Sequence, residues 1–360
     1  MKKILVSPSK YVQDNGALAD LGEYVLAFGK TALMVASEED QSRVQSILDK
    51  ALEKNEFKMV YGGFGQECTE DEVNRLIKVC KENKCEVVIG LGGGKALDTA
   101  KAVSHSEELP VITVPTIAST DAPCSSLSVV YNAKGEFKEY RFYRSNPNLV
   151  LVDTGIIAKA PTRFLISGMG DALSTYFEAR SCERSFANNI PGGMSTKLAV
   201  AAAKLCYETL LEDSLKAIAA SENKVVTQAF ENIVEANTLL SGLGFESSGL
   251  AAAHAIHNGL TALEETHRYF HGEKVAFGTL VHLVLENAPK AEIDTVLAYC
   301  KSVNLPTCLA DLGVMEVTDE KVRAVADMSC APHESIHNMP FKVTSDDVFA
   351  AIYAADSLGK

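Results

Sequence analysis

Four of the eight histidines fall in one short stretch: His254, His257, His267 and His271. Neutral imidazole suits zinc or iron, so this crowding makes metal binding the first chemistry to weigh. His254 and His257 stand three apart in Leu250-Ala251-Ala252-Ala253-His254-Ala255-Ile256-His257, a spacing that puts both on one face of a helix. His271 follows Tyr269-Phe270 and precedes Gly272-Glu273-Lys274. Hydrogen-bonded core histidines are the competing reading. A two-histidine site still wants a carboxylate. Asp171, in Ser167-Gly168-Met169-Gly170-Asp171-Ala172-Leu173, offers one at the head of a predicted helix, where it could equally be an N-cap. His333 and His337 form a rival pair, but Pro332 and Pro340 bracket them in what reads as a loop or short helix.

A second chemistry lies at Gly90-Leu91-Gly92-Gly93-Gly94-Lys95-Ala96-Leu97-Asp98-Thr99-Ala100-Lys101. Val87-Val88-Ile89 before it reads as a buried strand, and the Ala, Leu and Lys after it as a helix. Three glycines in the turn let a ligand approach the backbone, and the helix start favours an anion, so phosphate or pyrophosphate is the natural guest. The P-loop pattern fails because Ala96 stands where a hydroxyl would hold magnesium, which argues against a nucleotide kinase or ATPase. The dinucleotide pattern G-x-G-x-x-G matches at Gly90 and Gly92 but has Lys95 in its third glycine position. On pattern alone, a tight turn with no ligand stays open.

The elements that must position these residues change character along the chain. Strand signals at 31–36, 58–61, 86–89, 111–114 and 149–153 alternate with helix signals at 40–54 and from Thr69 to about Lys84. Such alternation implies a parallel sheet wrapped by helices, with ligands at the carboxyl ends of the strands. Ser128–Tyr131 and Phe137–Phe142 flank Asn132-Ala133-Lys134-Gly135, a hairpin signal. Beyond Pro161-Thr162 the segments 195–212, 227–241, 248–263, 273–287, 290–303 and 318–330 read as packed helices. The expected fold is an α/β N-terminal dinucleotide-binding domain with a parallel sheet over 1–160. An all-α, metal-binding C-terminal domain follows over 161–360, with a substrate cleft between the two.

With 360 residues and 47% hydrophobic content, the chain can bury two cores. A net charge of −13 argues against nucleic acid or an anionic membrane as partner. No apolar run is long enough for a bilayer, and the one after Met1-Lys2-Lys3 is too short for a signal peptide. Nine cysteines without a C-x-x-C pair fit a reducing cytoplasm, the expected location, with mostly buried thiols. Cys124 has no histidine near it in sequence and reads as an inert, packed thiol.

Five ordered blocks extend the reading: Gly-Gly-Gly-Lys-Ala-Leu-Asp-Thr-Ala-Lys at 92–101, Pro-Thr-Ile-Ala-Ser-Thr-Asp-Ala-Pro-Cys at 115–124, Gly-Asp-Ala-Leu at 170–173, Gly-Leu-Ala-Ala-Ala-His at 249–254 and His-Gly-Glu-Lys-Val-Ala-Phe-Gly at 271–278. Through them the chain resembles, nearly end to end, the glycerol dehydrogenases of the metal-dependent (iron-type, group III) alcohol dehydrogenase superfamily. That superfamily has the dehydroquinate synthase-like architecture. The resemblance implies that Asp171, His254 and His271 hold a zinc ion, with iron as the alternative, leaving His257 and His267 in supporting roles. It also implies that Gly94, Lys95 and Asp98 bind the pyrophosphate and ribose of NAD, aided by Thr116, Ser119, Ser125, Leu127 and Tyr131. Asp121 would contact the polyol and complete the catalytic set with Asp171, His254 and His271.

One departure concerns the adenosine ribose. Family members often carry an acidic residue after the second strand, and Ser37 stands there in this chain. Serine does not repel a 2′-phosphate, but the neighbouring Glu38 and Glu39 do, so NAD is expected over NADP. The implied reaction is oxidation of glycerol to dihydroxyacetone, with a divalent metal acting as Lewis acid and a vicinal diol able to chelate it. No dedicated general base stands out. A large homo-oligomer such as an octamer is implied as well.

Three rivals follow. A glycerol-1-phosphate dehydrogenase needs cations where Asp121 stands. A dehydroquinate-synthase-like lyase needs several Arg or Lys, and only Arg163, Arg268 and Lys274 lie near the proposed ligands in sequence. A redox-silent NAD-binding module would keep the histidines as core residues.

Overall fold

The computed structural model describes residues 2–132, 135 and 137–360, which fall into two compact units. One unit is Ser7–Pro161 with Ala220–Val226; the other holds the chain up to Val6, Thr162–Ala219 and Thr227–Lys360. The first residues belong to the helical unit because Ile4 N–H donates to the Met194 carbonyl, and the Asn189 amide donates to the Ile4 carbonyl.

The α/β unit contains strands β1 (Tyr11–Asp14), β2 (Thr31–Val35), β3 (Lys58–Tyr61), β4 (Val87–Gly92), β5 (Val111–Pro115), β6 (Leu127–Tyr131), β7 (Phe137–Phe142) and β8 (Leu149–Asp153). Its helices are α1 (Leu21–Leu26), α2 (Glu38–Lys54), α3 (Glu70–Asn83), α4 (Gly94–Glu107) and the short α5 (Thr154–Ile157). Six strands form one all-parallel sheet in the order β1-β8-β5-β4-β2-β3, and β6 and β7 make a separate antiparallel hairpin. The expected parallel sheet and hairpin are both present; Ala133 and Lys134 of the hairpin's expected turn lie outside the described residues. Strand β1 was not expected. Tyr11, Val12 and Gln13 are half-buried and Asp14 is exposed, and the ladder with β8 makes the segment a strand.

Burial on both faces follows from the alternation of side chains along each strand. Ala32 and Met34 of β2 join Leu18, Val44 and Leu48 in one cluster, while Leu33 and Val35 join Val73, Leu76 and Val103 in the other. Helix starts follow local chemistry. Ser37 and Thr69 cap α2 and α3 by accepting from the N–H groups of Asp40 and Glu72. Strand order reverses between β2 and β4, so their carboxyl ends flank a crevice of the kind in which open α/β sheets bind ligands.

The helical unit contains α6 (Thr162–Ser185), α7 (Lys197–Glu222), α8 (Gln228–Glu235), α9 (Ser241–Ser248), α10 (Ala252–Leu260), α11 (His271–Leu285), α12 (Lys290–Ser302), α13 (Asp319–Ser329) and α14 (Ser345–Gly359). The last residues of α7, from Ala220 on, belong to the α/β unit. A π-helical turn, Ala236–Leu240, joins α8 to α9. The segment expected as a helix over 248–263 begins only at Ala252, because Gly249 takes φ 108° and the N-cap Ala251 has non-helical backbone angles.

Helices α6 and α11 touch backbone to backbone. A Cβ on Gly170 would lie 2.3 Å from the Gly272 carbonyl oxygen, and one on Gly272 would lie 1.8 Å from that of Ser167. The crossing is pinned by Arg163, whose Nε and Nη2 donate to Glu273 at 2.6 and 2.8 Å, and by Phe164 stacked on Phe270. Gly272→Ala should therefore destabilise the fold by at least the ~1–3 kcal/mol typical of overpacking, since backbone cannot rotate out of the way. A fall in Tm checks this; an unchanged Tm would show that the two helices can separate freely.

Candidate metal centre and cofactor site

Asp171 does not head a helix, against expectation. It lies inside the 24-residue α6, and Gly168 and Gly170 continue that helix rather than start it. Gly170 serves the crossing with α11 instead, which brings His271, the first residue of α11, beside Asp171. His254 sits in the first turn of α10. Asp171 Oδ1 lies 3.2 Å from His271 Nε2 and 3.4 Å from His254 Nε2. One ligand atom from each of the three lies within 4.8 Å of the others, the one such group among the described residues.

The charge around this point suits a cation. Asp171 is buried, which opposes ionisation, yet His271 and His254 beside it hold its carboxyl well below the ordinary carboxylate range. Burial likewise opposes a charged His254, but Glu178 and then Asp171 lift it well above an ordinary imidazole. Two carboxylates thus converge on one imidazole in a closed environment. One carboxylate oxygen and two imidazole nitrogens form the three-ligand, N/O set of catalytic zinc centres, and the set suits iron as well.

Glu178 escaped the sequence reading. It is fully buried two turns along α6 from Asp171. The N-cap of α10, Ala251, has no side-chain acceptor, and Glu178 supplies one. Its Oε1 accepts from the N–H groups of Ala251 and His254 at 2.9 and 3.0 Å. Its Oε2 lies 2.6 Å from His254 Nδ1. A carboxylate on Nδ1 leaves Nε2 as the nitrogen turned to Asp171. No local pattern could have found it, because a lone Glu in an apolar helix reads as a surface residue.

The remaining histidines separate from this group. His257 lies behind His271, its Nε2 3.1 Å from His271 Nδ1. His267 Nε2 hydrogen-bonds the Thr261 carbonyl, and His337 Nε2 that of Ala331. His333 lies 3.6 Å from Glu334.

The residues expected to hold a dinucleotide all lie in the α/β unit. Gly92 at the end of β4 takes φ +147°, and a Cβ there would lie 3.2 Å from Asp40 Oδ2. Gly93, the N-cap of α4, offers no side-chain acceptor to the helix amides, and a Cβ on Gly94 would meet only ordinary contacts with Ala122 Cβ at 3.7 Å and Thr120 Oγ1 at 3.9 Å. These features fit an anion at the start of α4. Lys95 pairs with Glu67 and lies over the Tyr131 ring, 5.1 Å from its centre. Asp98 is buried, accepts from Val129 N–H at 3.0 Å and pairs with Lys101 at 2.9 Å. Buried Lys101 also donates to the Ala122 carbonyl and the Ser125 hydroxyl, and to the Leu127 carbonyl, so it fixes the loop carrying Ser125 and Leu127. Ser119 and Asp121 lie in the segment between β5 and β6. Thr116 donates to Asp40 Oδ1 at 3.2 Å, and Ser37 donates to Asp40 Oδ2 at 2.8 Å. Glu67, Lys101 and Asp40 were not singled out from sequence for this site. Their contacts with Lys95, with the loop at 122–127 and with Thr116 join segments distant in the chain, which the sequence does not show.

Eight of the nine cysteines, Cys124 among them, are buried, and none forms a disulfide. Burial pushes the thiols of Cys68, Cys80 and Cys300 up to about 12. Among the described residues, no helix is long and apolar enough to cross a membrane.

The family model for iron-containing alcohol dehydrogenases matches residues 8–154. The chain is 51% identical to a glycerol dehydrogenase of Citrobacter freundii, covering 100% of this chain and 99% of that one. It is 52% identical to a glycerol dehydrogenase of Thermotoga maritima over 99% of this chain and 97% of that one. The crystal structure of a glycerol dehydrogenase from Schizosaccharomyces pombe superposes with a TM-score of 0.96 at 44% identity, covering 99% of this chain and 91% of that one. Agreement of this extent, from end to end and in three dimensions, reaches far past a shared fold: the chain belongs to the iron-containing alcohol dehydrogenase family and is an oxidoreductase.

Proposed function

We propose that this chain oxidises glycerol to dihydroxyacetone with NAD, using a divalent ion held by Asp171, His254 and His271, with zinc favoured. The observation that carries the reading is the convergence of those three side chains on one point, in a chain about half identical to glycerol dehydrogenases. When bound, such an ion lowers the pKa of an alcohol and stabilises the negative charge left on its oxygen, which eases loss of hydride from carbon.

The chain's own residues prepare that step. Asp171 supplies the anionic ligand, held ionised by the imidazoles beside it. Glu178 fixes the ring of His254 by its Nδ1 and so aims Nε2. Asp121 would accept a hydrogen bond from a substrate hydroxyl and orient it. In the α/β unit, Gly94 and Lys95 would receive the cofactor pyrophosphate, which would take over Lys95 from Glu67. Thr116, Ser119, Ser125, Leu127 and Tyr131 would line the cofactor around the held loop, and Asp98 would anchor that loop through Lys101. Ser37 and Asp40 stand at the end of β2, where the adenosine ribose of a dinucleotide falls, and the Asp40 carboxylate there disfavours a 2′-phosphate. The carboxylate at Asp121 also argues against a phosphorylated polyol. Assembly as a homo-oligomer belongs to the same proposal.

Metal analysis of the purified protein should find one divalent ion per chain. Chelation should abolish NADH formation on glycerol and zinc should restore it; full activity without metal would overturn the reading. Glu178→Gln should weaken zinc binding by about 10–100-fold, because the amide N–H faces His254 Nδ1 and drives the ring proton to Nε2. Competition with a chromogenic chelator measures this, and unchanged affinity would remove Glu178 from the centre. Steady-state kinetics should give a higher kcat/KM with NAD than with NADP; parity would place the ribose elsewhere than beside Asp40.

A further inference from the structure

Behind His271 runs a chain of side-chain hydrogen bonds whose direction can be worked out from its far end. Asn258 Nδ2 donates to Glu334 Oε2 at 2.9 Å, and a carboxylate can only accept. That fixes the amide the other way round, with Oδ1 toward His257 Nδ1 at 3.0 Å. A carbonyl oxygen cannot donate, so His257 must carry its proton on Nδ1. As a neutral ring His257 presents Nε2 as a bare acceptor, and that nitrogen stands 3.1 Å from His271 Nδ1. A metal held at His271 Nε2 requires the ring proton on Nδ1, and His257 Nε2 is the acceptor that stands there to receive it, with Asp171 Oδ1 3.2 Å from the ligating nitrogen.

We propose that His257, Asn258 and Glu334 are positioning residues that lock His271 in the tautomer able to ligate a metal through Nε2. This rests on the reading of Asp171, His254 and His271 as metal ligands. The chain is an orientation device and not a proton wire, because the amide of Asn258 sits in its middle and does not hand protons on. His254 reaches the same tautomer by a different route, through the anion of Glu178. The two ligand rings therefore differ in what stands behind them, an ionised carboxylate for one and a neutral imidazole for the other.

The test uses the full-length protein and zinc, with affinity read by chelator competition and folding by the Tm of the metal-free form. His257→Phe fills the space without an acceptor and should weaken zinc binding by about 10–100-fold. His257→Gln puts a carbonyl oxygen near the Nε2 position and should restore affinity to near the original value. Equal affinity in the Phe variant and the original protein overturns the proposal, and so does equal loss in the Phe and Gln variants, which would assign His257 to packing. Should the Phe variant not fold, Asn258→Leu replaces it: lacking the acceptor for His257 Nδ1–H, the Leu variant should lose affinity, and unchanged affinity overturns the proposal. If the original protein itself binds no zinc, the ligand assignment fails instead, a result distinguishable from failure of the relay alone.

Discussion

A carboxylate on one helix and an imidazole on another can reach a common point only if the two backbones come into contact. In the helical unit that contact is the crossing of α6 and α11 at Gly170 and Gly272, where neither residue has room for a Cβ. The grip of Arg163 on Glu273 and the stacking of Phe164 on Phe270 hold the same crossing from its outer side. Asp171 and His271 are neighbours of those glycines in the chain, so this close backbone packing and the candidate metal centre share one origin. Loosening the crossing would separate a ligand pair before it disturbed anything else.

Buried charge imposes the second constraint. Asp171 and Glu178 lie on one helix with no solvent to screen them, and each is satisfied by convergence on His254. Glu178 does two tasks with its two oxygens. One caps α10, whose own N-cap residue is an alanine, and the other holds the imidazole. The position of α10 and the orientation of its histidine are thereby set by one side chain, so the helix cannot shift without turning the ligand. The same economy appears in the α/β unit. Lys101, buried under the start of β6, ties Asp98 to the carbonyls and hydroxyl of the following loop and gives a glycine-rich turn a rigid neighbour.

Much of the α/β architecture was readable because its signals are local. The buried strands β2, β4, β5 and β8 are continuous apolar runs, and Thr69 announces α3 by its hydroxyl and the acids after it. Strand β1 gave no such signal, since Tyr11–Asp14 acquires its conformation from the ladder with β8, far away in the chain. Helix α6 was misjudged at its start for a related reason. Two glycines near Asp171 look like a helix boundary when seen alone, and they belong to a helix interior because another backbone crosses there.

By itself, then, the sequence determined the kinds of chemistry present: a glycine turn between a buried strand and a helix, histidines crowded near an aspartate, and motif blocks specific enough to point to a family of metal-dependent alcohol dehydrogenases. Tertiary structure alone decided which histidines meet Asp171 and what stands behind each ring. His254 and His257 are equivalent in spacing and composition, yet one is turned to Asp171 by Glu178 and the other backs His271. Ligand choice is a matter of ångströms between helices that are up to 100 residues apart in the chain (Asp171 and His271). Periodicity fixes only which face of one helix a residue occupies; packing fixes what that face meets.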